Sequence, residues 1–213
     1  MSLNSRIVSP IVNLIATMPY LPPLLVFLML SAGCAQKGVQ PDLPEQAQLS
    51  ELELKQQEAA KRFQAALALQ QDGQLAQAEA AYKVLAEDYP AHTAPLVNLA
   101  ILAIKAGDEE QARGYLEQAL NIKPQHLHAL NLMGVLEREA GAFDESEGYY
   151  RKALTANPDF QPALRNMAIL LDIYLGRLSE ALPLYEHYQS LQTTPDPQVK
   201  DWIFDLKSRL GAS

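Results

Sequence analysis

Few residues of this chain carry side chains that could do covalent or metal chemistry. The 213 residues include a single cysteine, Cys34, and four histidines. A thiol can be acylated or alkylated, but one cysteine alone cannot form a disulfide within the chain. His126 and His128 are two residues apart, so on a helix or a strand their side chains point to different sides and cannot readily share a metal ion. We predict that both are solvated turn residues and that the chain binds no metal.

No other grouping of residues indicates catalysis. The glycines occur singly instead of in a phosphate-binding loop, and no Ser-His-Asp or Cys-His set can be assembled. The formal net charge of -8 is spread along the chain, so there is no basic stripe that could bind nucleic acid. The sequence therefore predicts a non-enzymatic protein that needs no cofactor and does not bind nucleic acid.

The stretch before Cys34 has the polarity of an export signal. No charged residue occurs between Ile7 and Gly33, and the positive charge of Arg6 and the α-amino group lies at the start. The most apolar part, residues 24–30, is short, and prolines interrupt what precedes it. A membrane-spanning helix needs about 20 apolar residues, so a cleaved signal peptide over residues 1–33 is favoured over a permanent anchor.

The residues that lead into this cysteine, Leu30-Ser31-Ala32-Gly33-Cys34, resemble the lipobox of bacterial lipoproteins. Ser31 departs from the usual pattern, because it stands where leucine is commonest. The resemblance implies cleavage before Cys34 and a lipid, such as palmitate, on its mature N-terminus. It also implies sorting to the outer membrane, facing the periplasm, because Ala35 and Gln36 follow in place of the aspartate that tends to retain such proteins in the inner membrane. An uncleaved N-terminus with a buried structural cysteine is the alternative, and translation could start at Met1 or Met18.

Residues 34–49, after the signal, have no apolar period and contain two prolines, which predicts a flexible tether behind the lipidated cysteine.

After residue 49, two residue types recur with one common spacing. Glycine returns at Gly73, Gly107 and Gly141, and proline returns at the same interval at Pro90, Pro124 and Pro158. The glycine series continues at Gly176 after a slightly longer interval, which indicates one inserted residue in the fourth copy. Glycine suits the end of a first helix, and proline stops a second one.

This spacing, with these residue types, resembles the tetratricopeptide repeat (TPR), whose unit is about 34 residues long. The resemblance implies an all-α fold, a TPR α-solenoid of about four helix pairs over residues 50–192, with units at 59–92, 93–126, 127–160 and 161–192. The opening helix is predicted from Glu51 to Gln71. Residues 193–213 are predicted to form a capping helix, with Asp196 as N-cap and one apolar face, formed by Val199, Trp202, Ile203, Leu206 and Leu210.

In TPR folds the first helices line a concave face that binds ligands. Three of its columns can be read from this sequence. Repeat position 5 holds Phe63, Val97, Asn131 and Arg165, position 6 holds Gln64, Asn98, Leu132 and Asn166, and position 9 holds Leu67, Ile101, Val135 and Ile169. An apolar strip flanked by amides could receive a helix or an extended peptide and fix its register. Equally, these residues could serve packing between the repeats.

The combination resembles TPR lipoproteins of the Gram-negative envelope. We therefore expect a membrane-anchored, periplasm-facing scaffold for protein interactions in an envelope machine: one for pili or secretion, for outer-membrane protein assembly, or for peptidoglycan enzymes. The alternative is an accessory carrier whose groove binds a small ligand or a glycan. Phe63 is the one aromatic residue in the three columns, which favours a protein partner. The partner, the process and the oligomeric state are left open.

Overall fold

The computed structural model describes residues 43–211, with side chains from Ser50 onward. Every regular element in this part of the chain is helical. The helices are α1 (Leu43–Gln71), α2 (Leu75–Asp88), α3 (Thr93–Ala106), α4 (Glu109–Ile122), α5 (Leu127–Glu139), α6 (Phe143–Ala156), α7 (Gln161–Ile169), α8 (Leu178–Ser190) and α9 (Pro197–Arg209). Each helix packs against the next, and together they build four pairs, α1–α2, α3–α4, α5–α6 and α7–α8, followed by α9 on α8.

A glycine in the left-handed conformation ends the first helix of each pair. Gly107, for example, has φ +78°, which a side chain would strain. Its neighbour Asp108 donates its backbone N–H to the carbonyl of Ala103 at 2.9 Å, so the last turn of α3 keeps its hydrogen bonds while the chain reverses. The glycines that recur in the sequence at the other three units have the same conformation. The period of the sequence thus marks the reversals between paired helices.

Small residues allow the two helices of a pair to approach closely. The Tyr150 ring of α6 lies against the backbone of α5 at Gly134, where an added Cβ would come within 2.5 Å of the ring. Ser146, one turn earlier on α6, donates its hydroxyl to the carbonyl oxygen of Gly134 at 2.7 Å. Both contacts are buried, so this pair of helices is held by packing and by one hydrogen bond to the backbone.

The extra residue of the fourth unit forms a π turn. Residues Leu170–Tyr174, directly after α7, are π-helical, and Leu175 donates its N–H to the carbonyl of Leu170 at 3.1 Å. A π turn accommodates one more residue without breaking the helix. This explains why the interval between Gly141 and Gly176 is one residue longer than the earlier intervals of the glycine series.

The capping helix begins as predicted. The Asp196 side chain accepts hydrogen bonds from the backbone N–H groups of Gln198 and Val199 at 3.0 and 3.3 Å, and Pro197 is the first helical residue. Most of the predicted apolar face is in place: Val199, Trp202 and Leu206 are buried, and Ile203 is half-buried. The prediction was wrong for Leu210, which is exposed because the helix ends at Arg209.

The opening helix begins earlier than predicted, at Leu43 instead of Glu51. Pro44 is compatible with this start, because the N–H that proline lacks has no partner in the first turn of a helix. The predicted tether, residues 34–49, therefore overlaps α1 over residues 43–49, and the rest of it lies outside the described residues. None of the helices described here combines the length and the apolar character needed to cross a bilayer.

Replacing Gly134 with alanine tests the close approach of α5 and α6. The new methyl group would collide with the Tyr150 ring. We expect the overpacking to lower the free energy of unfolding by about 1–3 kcal/mol, although alanine has the better helix propensity. Urea unfolding followed by circular dichroism measures this change.

Gly148→Ala is the matched control, because Gly148 is also helical but has nothing within 4 Å of an added Cβ. This variant should gain about 0.5–1 kcal/mol. Equal stabilisation of both variants would show that the approach of the two helices is not limited by this contact.

Candidate protein-binding groove

The apolar column of the predicted groove lies mostly in the interior. Ile101, Val135 and Ile169 are each 2% exposed, on three successive first helices, and Leu67 on α1 is half-buried. The two flanking columns are mixed. Val97, Asn98, Asn131 and Leu132 are buried, Phe63, Arg165 and Asn166 are half-buried, and Gln64 is exposed. The buried members therefore define the floor of the candidate surface, and the exposed and half-buried ones define its rim.

Asparagine amides connect successive first helices in these columns. Asn166 on α7 donates its Nδ2 to Oδ1 of Asn131 on α5 at 3.0 Å. On α3, Asn98 donates its Nδ2 to the carbonyl of Ala94 in its own helix at 2.9 Å. The remaining oxygen of Asn98, Oδ1, is buried and has no hydrogen-bond partner. Buried acceptors are nearly always bonded, so this oxygen leaves one hydrogen bond unmade in the floor of the candidate surface.

Two of the predicted groove residues contact other parts of the fold. The Phe63 ring lies 5.7 Å from the ring of Tyr82 on α2, within the apolar cluster of the first pair. The Arg165 guanidinium lies over the ring of Trp202 at 5.3 Å and donates to Oε1 of Gln198 at 2.9 Å. Both partners of Arg165 belong to the capping helix. Phe63 thus contributes to packing, and Arg165 holds α9 against the fourth pair.

Two buried charged residues, one turn further along the first helices of the third and fourth units, were not predicted from the sequence. Arg138, at repeat position 12 of the third unit, is 3% exposed, donates to Oε1 of Glu139 at 2.8 Å and lies over the Tyr174 ring at 5.6 Å. Asp172 follows at the equivalent place of the fourth unit and accepts a hydrogen bond from Arg209 at 3.0 Å. The signal was present, since Arg138 follows Val135 of position 9 by three residues and so lies about one helical turn further along the same face, but a charged residue is not expected to be buried.

The two histidines close in sequence have structural roles. His126 is the N-cap of α5, where its Nδ1 accepts the backbone N–H of Ala129 at 3.2 Å. The His128 ring packs edge-on against Phe160 at 5.1 Å. Burial lowers the pKa of His126 to about 4 and also lowers the pKa of His128. The prediction that both are solvated was wrong, because each is half-buried by these contacts.

Cys34 and the predicted signal peptide, residues 1–33, lie outside the described residues. Across residues 43–211, no group of three or more His, Cys, Asp or Glu side chains is arranged to hold a metal ion. This part of the chain offers hydrogen-bonding amides, apolar area and fixed charges, and groups of these kinds bind partner molecules by non-covalent contacts.

Comparison with known proteins identifies the repeat. Residues 69–136 match one family model described as a tetratricopeptide repeat, and residues 127–160 match a second model of the same description. Neither describes a catalytic family. No curated protein matches the chain at a significant level.

Solved structures share the fold at low sequence identity. The structure of pilF from Pseudomonas aeruginosa superimposes with a TM-score of 0.66 at 18% identity, covering 74% of this chain and 71% of that one. MamA from Desulfovibrio magneticus RS-1 gives 0.59 at 15% identity, covering 72% and 86%. A tetratricopeptide repeat protein from Parabacteroides merdae ATCC 43184 gives 0.58 at 22% identity, covering 72% and 59%. The fold is thus an all-α TPR solenoid of four helix pairs with a C-terminal capping helix, as the sequence predicted.

The N-cap of α5 makes stability sensitive to acid. His126 has a folded-state pKa of about 4, whereas a free histidine titrates near 6.5, so between these values the unfolded chain binds more protons. The free energy of unfolding should therefore fall as the pH drops from 6.5 to 4. Because the ring is only partly buried, we expect a loss of about 1–2 kcal/mol, roughly half of what the full pKa difference would give.

His126→Asn separates this effect from the titration of other groups, because an asparagine side chain can cap the helix without gaining a proton. Chemical unfolding of both proteins at pH 7, 5.5 and 4 gives the comparison. The variant should lose less stability on acidification than the parent. The same pH dependence in both proteins would contradict the role of the His126 ring as an unprotonated cap.

Proposed function

We propose that this chain is a membrane-anchored scaffold that faces the periplasm and recruits a protein partner to an envelope machine. Tetratricopeptide repeats are protein-interaction modules, and that part of the function follows from the fold. The observation that carries the choice of surface is the unpartnered Oδ1 of Asn98, which is buried in the concave columns. A rotation of the Asn98 side chain would bring this oxygen within reach of a partner's backbone N–H, while Gln64 and Leu67 on the rim meet the partner's side chains.

The anchor is supported by the sequence around Cys34. A lone cysteine directly after Ser31-Ala32-Gly33 ends an uncharged apolar run, as a lipidation site does. Lipid chains on this residue would supply stable attachment to the bilayer. The machine is one of the three kinds named from the sequence, which serve pili or secretion, outer-membrane protein assembly, or peptidoglycan enzymes. The resemblance to pilF is one of fold alone, so it does not choose among them.

Metabolic labelling with radioactive palmitate tests the anchor. The full chain, produced in a Gram-negative host, should incorporate label and sediment with membranes, because Cys34 would carry acyl chains. Cys34→Ala should carry no label and should accumulate as the longer, uncleaved precursor. Equal labelling of both proteins would rule out lipidation at this residue.

Partner capture tests the groove. Asn98→Ala removes the unpartnered oxygen and should weaken binding of the partner about tenfold, the loss expected for one hydrogen bond in a buried site. Full chain with an affinity tag, cross-linked in detergent-solubilised envelopes and quantified by mass spectrometry, gives the measurement. Gln77→Ala is the control, because Gln77 is exposed on α2, a second helix.

The result also distinguishes a protein scaffold from a carrier. Capture that falls in Asn98→Ala but not in Gln77→Ala supports a protein ligand in the groove. Equal capture by all three proteins would place the partner on another surface. No captured protein from any of them, together with a small molecule or glycan that co-purifies with the parent alone, would favour the carrier.

A further inference from the structure

One position of the repeat holds a smaller side chain in the first unit than in the next two, and a cavity lies beside it. Ala86 on α2 corresponds to Leu120 on α4, one repeat later, and to Leu154 on α6, two repeats later. Both leucines are half-buried. A cavity of about 530 Å³ lies beside the smaller Ala86 side chain, between α2 and α4. The cavity is on the side of the second helices, away from the concave columns.

The cavity has an apolar floor and a polar rim. Leu96 and Leu99 of α3 form the floor, and Tyr115 and Ile122 of α4 stand at the sides. Its polar rim is formed by Lys83, Glu87, Gln118 and Asn121. An opening of this kind suits one bulky apolar side chain, anchored in the floor and surrounded by polar contacts.

The capping helix presents such a side chain. Phe204 is 78% exposed on α9, on the face opposite to Trp202 and Leu206, which are buried. Lys200 and Asp201 precede it by four and three residues, so they lie beside it on the same side of the helix. A solvent-exposed phenylalanine with one positive and one negative side chain a turn before it is the shape and the charge pattern that the cavity could receive.

We propose that the occupant is a second copy of this chain, whose Phe204 enters the Ala86 cavity. Lys200 of that copy would then meet Glu87. Its Asp201 would meet Lys83, which already pairs with Glu79 at 2.6 Å and would gain a second opposite charge. The two surfaces are different, one on α9 and one between α2 and α4, which makes the contact head to tail. A dimer formed in this way keeps one free cavity on one copy and one free Phe204 on the other, so association continues beyond a dimer. This proposal is independent of the concave groove and of the anchor.

Sedimentation velocity of the full chain in a density-matched non-ionic detergent tests the contact. The parent should form species larger than a dimer as its concentration rises. Phe204→Ser, which lacks the inserted ring, and Ala86→Leu, which places a larger side chain in the wall of the cavity, should each remain monomeric. An equimolar mixture of the two variants should form a dimer and stop there, because each copy retains one functional surface.

Charge exchange supplies a second test on exposed residues, where folding is not at risk. Glu87→Lys should lower association at least tenfold, and adding Lys200→Glu to the same chain should restore it. Val84→Ser, an exposed apolar residue of α2 outside the cavity, is the control and should associate like the parent. A monomeric parent, unchanged association of Phe204→Ser or Ala86→Leu, or a mixture without dimer would each overturn the proposal. If the parent is monomeric but binds a foreign protein through the cavity, that protein is the occupant in place of a second copy.

Discussion

The contact between a large side chain on each second helix and a small residue on each first helix determines the spacing of this solenoid. Tyr150 against Gly134 is the closest case. In the first pair, Tyr82 packs in one buried cluster with Ala66 and Ala78, and its hydroxyl has no hydrogen-bond partner. Leaving a buried hydroxyl without a hydrogen bond costs about 1–3 kcal/mol of folding free energy. Burial of the aromatic ring contributes a similar amount and offsets this cost. Close packing is therefore maintained even where it leaves a polar atom unbonded.

A stack of such pairs has two ends, and among the described residues they differ in how far they are covered. At the C-terminal end, α9 covers the last pair through the Trp202 ring, which lies 5.4 Å from the Tyr185 ring. Lys207 adds an ion pair to Glu186 at 2.7 Å, which is exposed and contributes little by itself. At the N-terminal end, residues 51–58 of α1 are exposed. The solenoid is thus closed by a dedicated helix at one end and continued by a solvated helix at the other.

The repeated part of the fold could be predicted because periodicity reports contacts that every unit makes. Gly107 and its equivalents, and the prolines after the second helices, belong to this class. A contact that occurs in one unit alone produces no periodic pattern in the sequence. The stacking of Arg165 on Trp202 joins the fourth unit to a helix outside the repeat. Comparing the repeats could not show this contact, and it placed Arg165 in a groove column by its position alone. The capping role of His126 depends on one ring orientation, which residue type does not specify.

The inserted residue of the fourth unit creates a turn that contacts the capping helix. The π turn Leu170–Tyr174 carries Asp172, whose carboxylate is buried and accepts a hydrogen bond from Arg209 of α9. A buried carboxylate is costly unless a cation and hydrogen bonds compensate it, and removing such a cation costs more than the pair contributes. The fourth unit with its π turn is therefore complete only when α9 is docked. In this respect the capping helix is part of the folding unit of the last repeat, and Phe204 on its outer face is exposed in the part of the chain that the structure describes.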